Sequence, residues 1–479
     1  MKKARVLICL LGVLIAVSPL FAGGQGESAA ASPKVTEINA VFDRILLEEN
    51  GQKDWADEFA ALTGVKINIV KPAHNQYPEI LGATFATGDL PDICEIQTGD
   101  YVNYARSGTL VALNEFIDAS QPAKDVPAEL INAYKMKDGN IYGFPMYDGG
   151  GCVAYIRADW LENLDLGVPT TWDEFHNVLR QFTFSDPDGN GENDTIGMTL
   201  PFDVPAVEFD YYNRFIMQEA MFGFQHKNGR WVDGFTEPEM AAALTRFQQL
   251  YEEGVIDTEF FSNKTSTARS KIYEGQAGVM EYWSGTWAVR FDESAKNTNP
   301  RARVIPIAPI KNASYVNRVG PAFSITVAAK DPALVFDAVI NTMLDKGKGE
   351  VLFTHGIEGM HYRKDGNGYV MMPEPANPDR PFDKAFSDPT LVMNGWAPLV
   401  APDELITLSR QIHRDNSIQL LLPQGGDNYV KYVGELFTMK QEVFSKIVIG
   451  EYSVQKGIDL YRKNAANLHL ADILAELNV

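Results

Sequence analysis

The chain has 479 residues, 45% hydrophobic and 11% aromatic, and sets 63 acidic against 42 basic side chains for a net charge of −21. The roughly 450 residues left after a leader are too many for one hydrophobic core and predict two large domains. An acidic balance this strong, with no Lys/Arg cluster, excludes nucleic acid as a partner, because phosphate binding needs a concentrated basic surface.

Met1-Lys2-Lys3-Ala4-Arg5 leads into an apolar run, Val6 to Val17, which Ser18-Pro19 breaks before a small residue at Ala22. That order describes a signal peptide over residues 1–22, followed by a flexible leader over 23–34. The run is shorter than the roughly 20 residues a membrane span needs, and no later stretch approaches that length. A soluble mature protein, periplasmic or secreted, is expected. Cys9 lies inside the apolar run after Ile8, so no lipid anchor is expected. Cys94 and Cys152 remain; one disulfide is open to them, and two small buried hydrophobes is the preferred reading.

Glu37–Phe42 alternates as a strand, Trp55, Phe59 and Leu62 fall at helical spacing before Gly64, and Val65–Val70 alternates again. Strand, helix, strand is the unit that builds a parallel sheet. A helix over 79–87 and the turn in "GDLPDICEI" lead to another short strand, which gives a small α/β lobe ending near residue 147. Gly149-Gly150-Gly151 follows, where a hinge is expected. Val153–Arg157 reads as a strand. Thr171-Trp172-Asp173-Glu174 is a capping box ahead of an apolar face of Trp172, Phe175, Val178, Leu179 and Phe182. Thr236–Glu239 repeats the box before Met240, Leu244, Phe247 and Tyr251. "RVIPIAPI" and "FSITVAA" read as strands, and Pro332–Leu344 as a helix.

In "DPDGNGENDTIG", residues 186–197, Asp186, Asp188, Asn190, Glu192 and Asp194 stand at positions 1, 3, 5, 7 and 9, with Gly191 at position 6. Oxygen groups on alternate residues of a tightly wound loop suit calcium, and position 7 ligates through its backbone carbonyl. Position 12 should supply a bidentate glutamate but is Gly197, so the loop is not an EF-hand. A calcium site completed from elsewhere is expected, against the alternative of a solvated acidic turn.

Trp283 and Trp287 flank a Ser-Gly turn after a strand-like run, Trp396 sits in "MNGWAP", and Tyr142 and Tyr147 flank the presumed hinge. Tryptophan in loops at strand ends suits a ligand that stacks, and sugar rings pack their C–H faces on aromatics while their hydroxyls need polar neighbours. Asp100, Asp148, Arg157 and Asn394 are such neighbours; the alternative for any one ring is the core. No zinc helix, nucleophile elbow or phosphate loop is present in the sequence. His355 and His361 flank "GIEGM" without a metal-ligand partner at suitable spacing. A carboxylate pair for glycoside hydrolysis stays open among 63 acidic residues.

"LGATFATGDLPDICEI", "YVNYARSGTLVALNEFID", "NIYGFPM", "YIRADWLENLDLGVPTTWDEF", "YEGQAGVMEYWSGTW" and "GIEGMHY" together resemble the extracellular solute-binding proteins, family 1, that feed carbohydrate ABC importers. The long members, including alginate-oligosaccharide binders, are the most similar. The resemblance implies an α/β, two-lobed periplasmic-binding-protein fold (type II-like), with a ligand cleft between lobes and a hinge. It divides the chain into a first lobe of 35–147 and 302–355 and a second of 148–301 and 356–479. It also implies a monomer that closes on an oligosaccharide and docks on a membrane permease. Asp100 and Tyr101 of the first lobe would meet Trp283, Trp287 and Trp396 of the second. The calcium would be structural; where those relatives carry an acidic residue after the last aspartate, this chain has Thr195. The rivals are a secreted glycoside hydrolase or lyase, and a sugar-sensing module without transport.

Overall fold

The computed structural model describes residues 36–147, 149–204, 206–381 and 403–479. Up to residue 325 its strands run in chain order β1 (Glu37–Val41), β2 (Lys66–Val70), β3 (Ile93–Ile96), β4 (Phe144–Pro145), β5 (Cys152–Arg157), β6 (Ile196–Met198), β7 (Phe224–Lys227), β8 (Arg230–Asp233), β9 (Ala277–Trp283), β10 (Val304–Ile307), β11 (Tyr315–Asn317) and β12 (Ala322–Ile325), and short strands follow. Two mixed sheets result, β2-β1-β3-β12-β4 and β10-β5-β9-β6. In the first, β1 is parallel to β2 and β3, while β12 runs antiparallel to β3 and β4. Helix Gln52–Thr63 makes the β1–β2 crossover, buries Trp55 and Phe59 and stops at Gly64 in the left-handed conformation.

Each sheet has its own core. Trp55, Phe59, Ile93, Phe144, Phe323 and Phe353 belong to the first. Tyr155, Trp160, Phe182, Phe215, Phe247 and Phe444 belong to the second. This is the two-lobed α/β fold. Cys94 lies in one core and Cys152 in the other, both buried and free. No helix among the described residues is long and apolar enough to cross a membrane.

The lobe boundaries differ from those expected. Val304–Ile307 pairs with β5 in the second sheet, so the second lobe extends past residue 301 to the β11 region. The segment after residue 355 returns to the first lobe: the His361 ring contacts the Asn50 carbonyl at 2.8 Å, and Met371 packs on the first core. The reason is topological, since strand pairing decides lobe membership and the sequence pattern does not reveal which sheet a strand joins. His361 is a buried structural histidine, with Nδ1 accepting the Ile357 N–H.

The Thr171 capping box forms as expected. The one at Thr236 does not: helix Pro238–Glu252 starts on its proline, whose fixed φ suits the first turn, and the Thr236 hydroxyl donates instead to the Asp233 carbonyl. Pro332–Leu344 begins as a short helix, Pro332–Val335, and continues as a wider turn over Phe336–Asn341.

The chain crosses between lobes at Tyr147–Gly151 and again just after β11, which pairs in parallel with Ser417–Gln419. A Cβ on Gly149 or Gly151 would fall well under 3.0 Å from the carbonyl oxygens of Arg318 and Val316 respectively. Side chains are excluded there because the crossing strands approach so closely. Away from the crossings, Lys137 of the first lobe donates to the Glu476 carbonyl at 2.6 Å, and so caps the last helix of the second, Leu470–Leu477.

Candidate ligand-binding crevice

In open α/β sheets, ligands bind outside the carboxyl ends of the strands. In the first lobe those ends deliver Asp43 and Arg44 after β1, His74 after β2 and Gln97 after β3. Asp43 is buried, and both its oxygens face His74 Nδ1, at 2.9 and 2.7 Å, while Gln97 donates at 3.0 Å. Burial pushes the Asp43 carboxyl up, but His74, Arg44 and Lys71 outweigh it and hold the group below its ordinary range. Arg44 pairs with the buried Glu95, whose carboxylate also accepts the N–H groups of Asp43 and Arg44.

In the second lobe, β5 and β9 run antiparallel with Cys152 opposite Trp283, so Trp283 lies at the hinge end of its sheet. An aromatic belt gathers there. Trp283 lies 5.6 Å from Tyr211 and 6.5 Å from Tyr212, and Tyr212 stacks on Tyr282 at 6.1 Å. Arg318 joins the lobes at this point. Its guanidinium lies 4.4 Å from the Trp283 ring centroid and donates to the Gly149 carbonyl and the Tyr147 hydroxyl, each at 3.0 Å. Burial raises the Glu208 carboxyl, while Arg318 and, from the first lobe, His74 pull it down. The two lobes' polar groups thus face one another across the crevice.

Glu281 of β9 supports the belt from beneath. It is buried and accepts the N–H groups of Arg214 and Phe215 at 2.7 and 2.9 Å, which fixes the turn carrying Tyr211 and Tyr212. Burial pushes its carboxyl from 4.5 up to about 7. The folded state therefore holds this proton more tightly than the unfolded chain, and stability falls as pH rises from 4.5 to about 7. The expected loss is on the order of 3 kcal/mol. Denaturant unfolding across that window checks it; Glu281→Gln, which also gives up one acceptor, is expected to flatten the slope.

Of the residues singled out in the sequence, Tyr147 and Trp283 are brought together through Arg318. Two others are corrections. Tyr101 is wholly buried in the first core, its hydroxyl donating to the Tyr134 carbonyl at 2.7 Å and accepting the Tyr142 N–H. Arg157 is buried at the far end of β5, paired with Asp159 at 2.6 Å and laid on Trp160. Five residues of extended strand carry it about 17 Å from Cys152 and the crevice. Trp287 opens helix Trp287–Thr298 with its ring already covered by guanidiniums, Arg269 at 4.6 Å and Arg290 at 4.9 Å. Asp100 is half-buried in the first turn of helix Thr98–Arg106, and burial raises its carboxyl. Asp148, Asn394 and Trp396 lie outside the described residues. Sequence reasoning missed Asp43, Arg44, His74, Glu208 and Arg318. Strand ends in a parallel sheet were the available signal for the first three.

The loop after the Thr171-capped helix winds through positive φ at Asp186, Gly189 and Gly191. Asp186 accepts the N–H groups of Asn190 and Gly191, each at 3.0 Å, and the Asn190 amide donates to Asp188 at 3.1 Å and to Asp194 at 3.3 Å. Burial, with Asp186 and Asp194 alongside, raises the Asp188 carboxyl. The Asn190 amide thus bridges the Asp188 and Asp194 carboxylates, while Asp186 is turned to the backbone of the loop. Among the described residues no three His, Cys, Asp or Glu side chains are grouped so that they could hold a metal ion. Thr195 turns inward to the Phe182 carbonyl, and a Cβ at Gly197 would collide with Leu179. Position 12 therefore has no room for a glutamate.

Residues 46–347, more than half of the chain, match the family described as bacterial extracellular solute-binding protein, and the chain belongs to it. Among curated proteins it is 26% identical over 384 residues to polygalacturonan/rhamnogalacturonan-binding protein YtcQ of Bacillus subtilis, covering 76% of this chain and 75% of that one. It is 27% identical over 270 residues to lipoprotein LipO of the same organism, covering 53% of this chain and about half (51%) of LipO. The fold matches that of alginate-binding protein AlgQ2, solved without calcium ion, at TM-score 0.66 and 22% identity over 94% of this chain and 99% of that one. It also matches the Streptococcus pneumoniae substrate-binding protein FusA, solved as an EF-hand mutant with fructo-nystose, at TM-score 0.66 and 18% identity over 93% and 98%.

Proposed function

We propose that this chain is the exported receptor of an ABC importer, which takes a carbohydrate into the crevice by hinge closure and hands it to a membrane permease. The observation that carries the reading is the Arg318 junction, where one side chain holds Tyr147 of the first lobe, the hinge backbone at Gly149 and the Trp283 ring of the second. A ligand stacked on Trp283 and bonded to the exposed His74 ring touches both lobes only when they close, and so shifts the population to the closed state. The relatives named for polygalacturonan and for alginate support a sugar as that ligand. Binding without turnover is part of the proposal: the Asp43 and Glu95 carboxylates are already committed to His74 and Arg44. Release as a freely diffusing protein is proposed on the place of Cys9 within the apolar run.

The acidic loop is proposed to hold calcium as a structural ion, with Asp186, Asp188, Asn190 and Asp194 contributing side-chain oxygens and Glu192 its carbonyl. A cation supplies the charge that offsets repulsion among the three aspartates. Protein stripped of metal is expected to melt several degrees lower than the same protein with calcium restored, with Asp186→Ala insensitive to the addition. Equal melting curves with and without calcium, from protein first stripped of metal, would remove the ion from the account.

A further inference from the structure

Helix Glu404–Asp415 docks on the second lobe in an unusual way. A surface helix ordinarily buries apolar side chains, but the two residues this one buries are Ser409 and His413. Four residues apart, they share one face. Leu405 and Ile412 are only partly buried against the second core.

Each buried side chain directs its polar group to backbone beside the crevice. The Gly285 N–H, in the Ser-Gly turn directly after Trp283, donates to Ser409 Oγ at 2.9 Å. His413 Nε2 lies 3.1 Å from the Val316 carbonyl oxygen, and because a carbonyl only accepts, that nitrogen carries the proton. Burial, with Arg414 alongside, holds the ring's pKa below its ordinary value against the pull of the Val316 bond, so the ring is neutral. The same nitrogen closes on the lobe crossing, where a Cβ on Gly151 would fall 2.4 Å from it. The crossing is in turn bonded to the Trp283 turn. The Ser284 N–H donates to the Gly151 carbonyl at 2.9 Å, and the Arg318 N–H to the Gly150 carbonyl at 3.2 Å. Helix, turn and crossing strands thus form one closed circuit of hydrogen bonds.

A buried polar face costs stability relative to an apolar one, because hydroxyl and imidazole must each find a partner. What it supplies is direction: a hydrogen bond fixes its partner's distance and angle, whereas apolar contact can slide. We propose that Ser409 and His413 are positioning residues, which make helix Glu404–Asp415 a rigid link between the lobe crossing and the turn that carries Trp283. A ligand that displaces that turn moves the crossing strands through the helix, and hinge rotation moves the turn. The consequence for binding rests on the carbohydrate reading above; the link itself does not.

Hydrogen exchange of the full chain, measured without sugar, tests the link. His413→Leu cuts the bond at the crossing only. The amides of Ser284 and Gly285, at the other end, are expected to exchange about tenfold faster, while those of β5 and β9 keep their rates. His413→Gln, which keeps an N–H donor on a side chain of similar reach, is expected to restore the slow exchange. Should His413→Leu fold poorly, Ser409→Ala gives the second reading, with faster exchange expected at the Arg318 amide. Ser284 and Gly285 amides unmoved in a folded His413→Leu, or a rise spread evenly over β5 and β9 that His413→Gln does not rescue, would overturn the proposal. Because no sugar enters the measurement, failure of the link leaves the carbohydrate reading standing, and failure of a sugar to bind leaves the link standing.

Discussion

Gly149→Ala is expected to destabilise the protein by about 2–4 kcal/mol and to weaken ligand binding as well. Gly149 has φ 96, a conformation that penalises any Cβ, and that Cβ would press on the Arg318 carbonyl oxygen. The strand after β11 must then move, and the guanidinium that joins Tyr147 to Trp283 moves with it. Gly150→Ala is the control. Its φ of 66 carries a similar backbone penalty, but the position opens on empty space. It is expected to lose about 1 kcal/mol with affinity unchanged. Denaturant unfolding and ligand titration of both variants separate the effects: a loss of affinity equal in the two would show that strain alone, and not the displaced Arg318, is responsible.

Lys440→Met is expected to act on stability alone, and strongly. Lys440 donates to the Asp233 carboxylate at 2.6 Å, the Tyr461 hydroxyl donates to the other oxygen at 2.6 Å, and both members of the ion pair are at most 3% exposed. Removing the ammonium leaves a buried carboxylate held by neutral donors alone, the Tyr461 hydroxyl and the Phe235 N–H, an expected loss of about 3–5 kcal/mol. The network ties helices Asp427–Val448 and Val454–Ala465 to β8, on elements that carry none of the crevice residues. Ligand affinity measured well below the melting point should be unchanged. A large affinity change would mean that these helices set the lobe arrangement.

What the sequence disclosed follows from how local each cause is. The helix Gln52–Thr63, its glycine stop and the Thr171 capping box depend on neighbours a few residues apart, and all were readable. So was the turn of the acidic loop, whose oxygens lie within one short stretch. The crossing between lobes was readable because the glycine cluster stands between the two α/β patterns, and close backbone approach demands glycine at Gly149 and Gly151. The Arg318 junction was not: its partners Tyr147 and Trp283 come from distant parts of the chain, the first 171 residues away. Arg157 misled for a related reason. A strand's sequence does not say which end faces the cleft, and only the antiparallel register of β5 on β9 puts Cys152 at the hinge and Arg157 at the rear. Tyr101 was expected in the cleft on the resemblance alone, yet its ring occupies the inward face of the helix. The Thr236 box failed because Pro238 fixes the first helical residue two positions later.

The most direct test of the central claim is one incubation of the mature chain with a panel of oligosaccharides, followed by thermal melting and by chromatography of the sugar, with Trp283→Ala alongside. The account predicts a stabilising shift for one sugar class, the sugar recovered intact, and an affinity loss of about 1–3 kcal/mol in the variant. Sugar recovered cleaved, or a shift that Trp283→Ala leaves untouched, would contradict it.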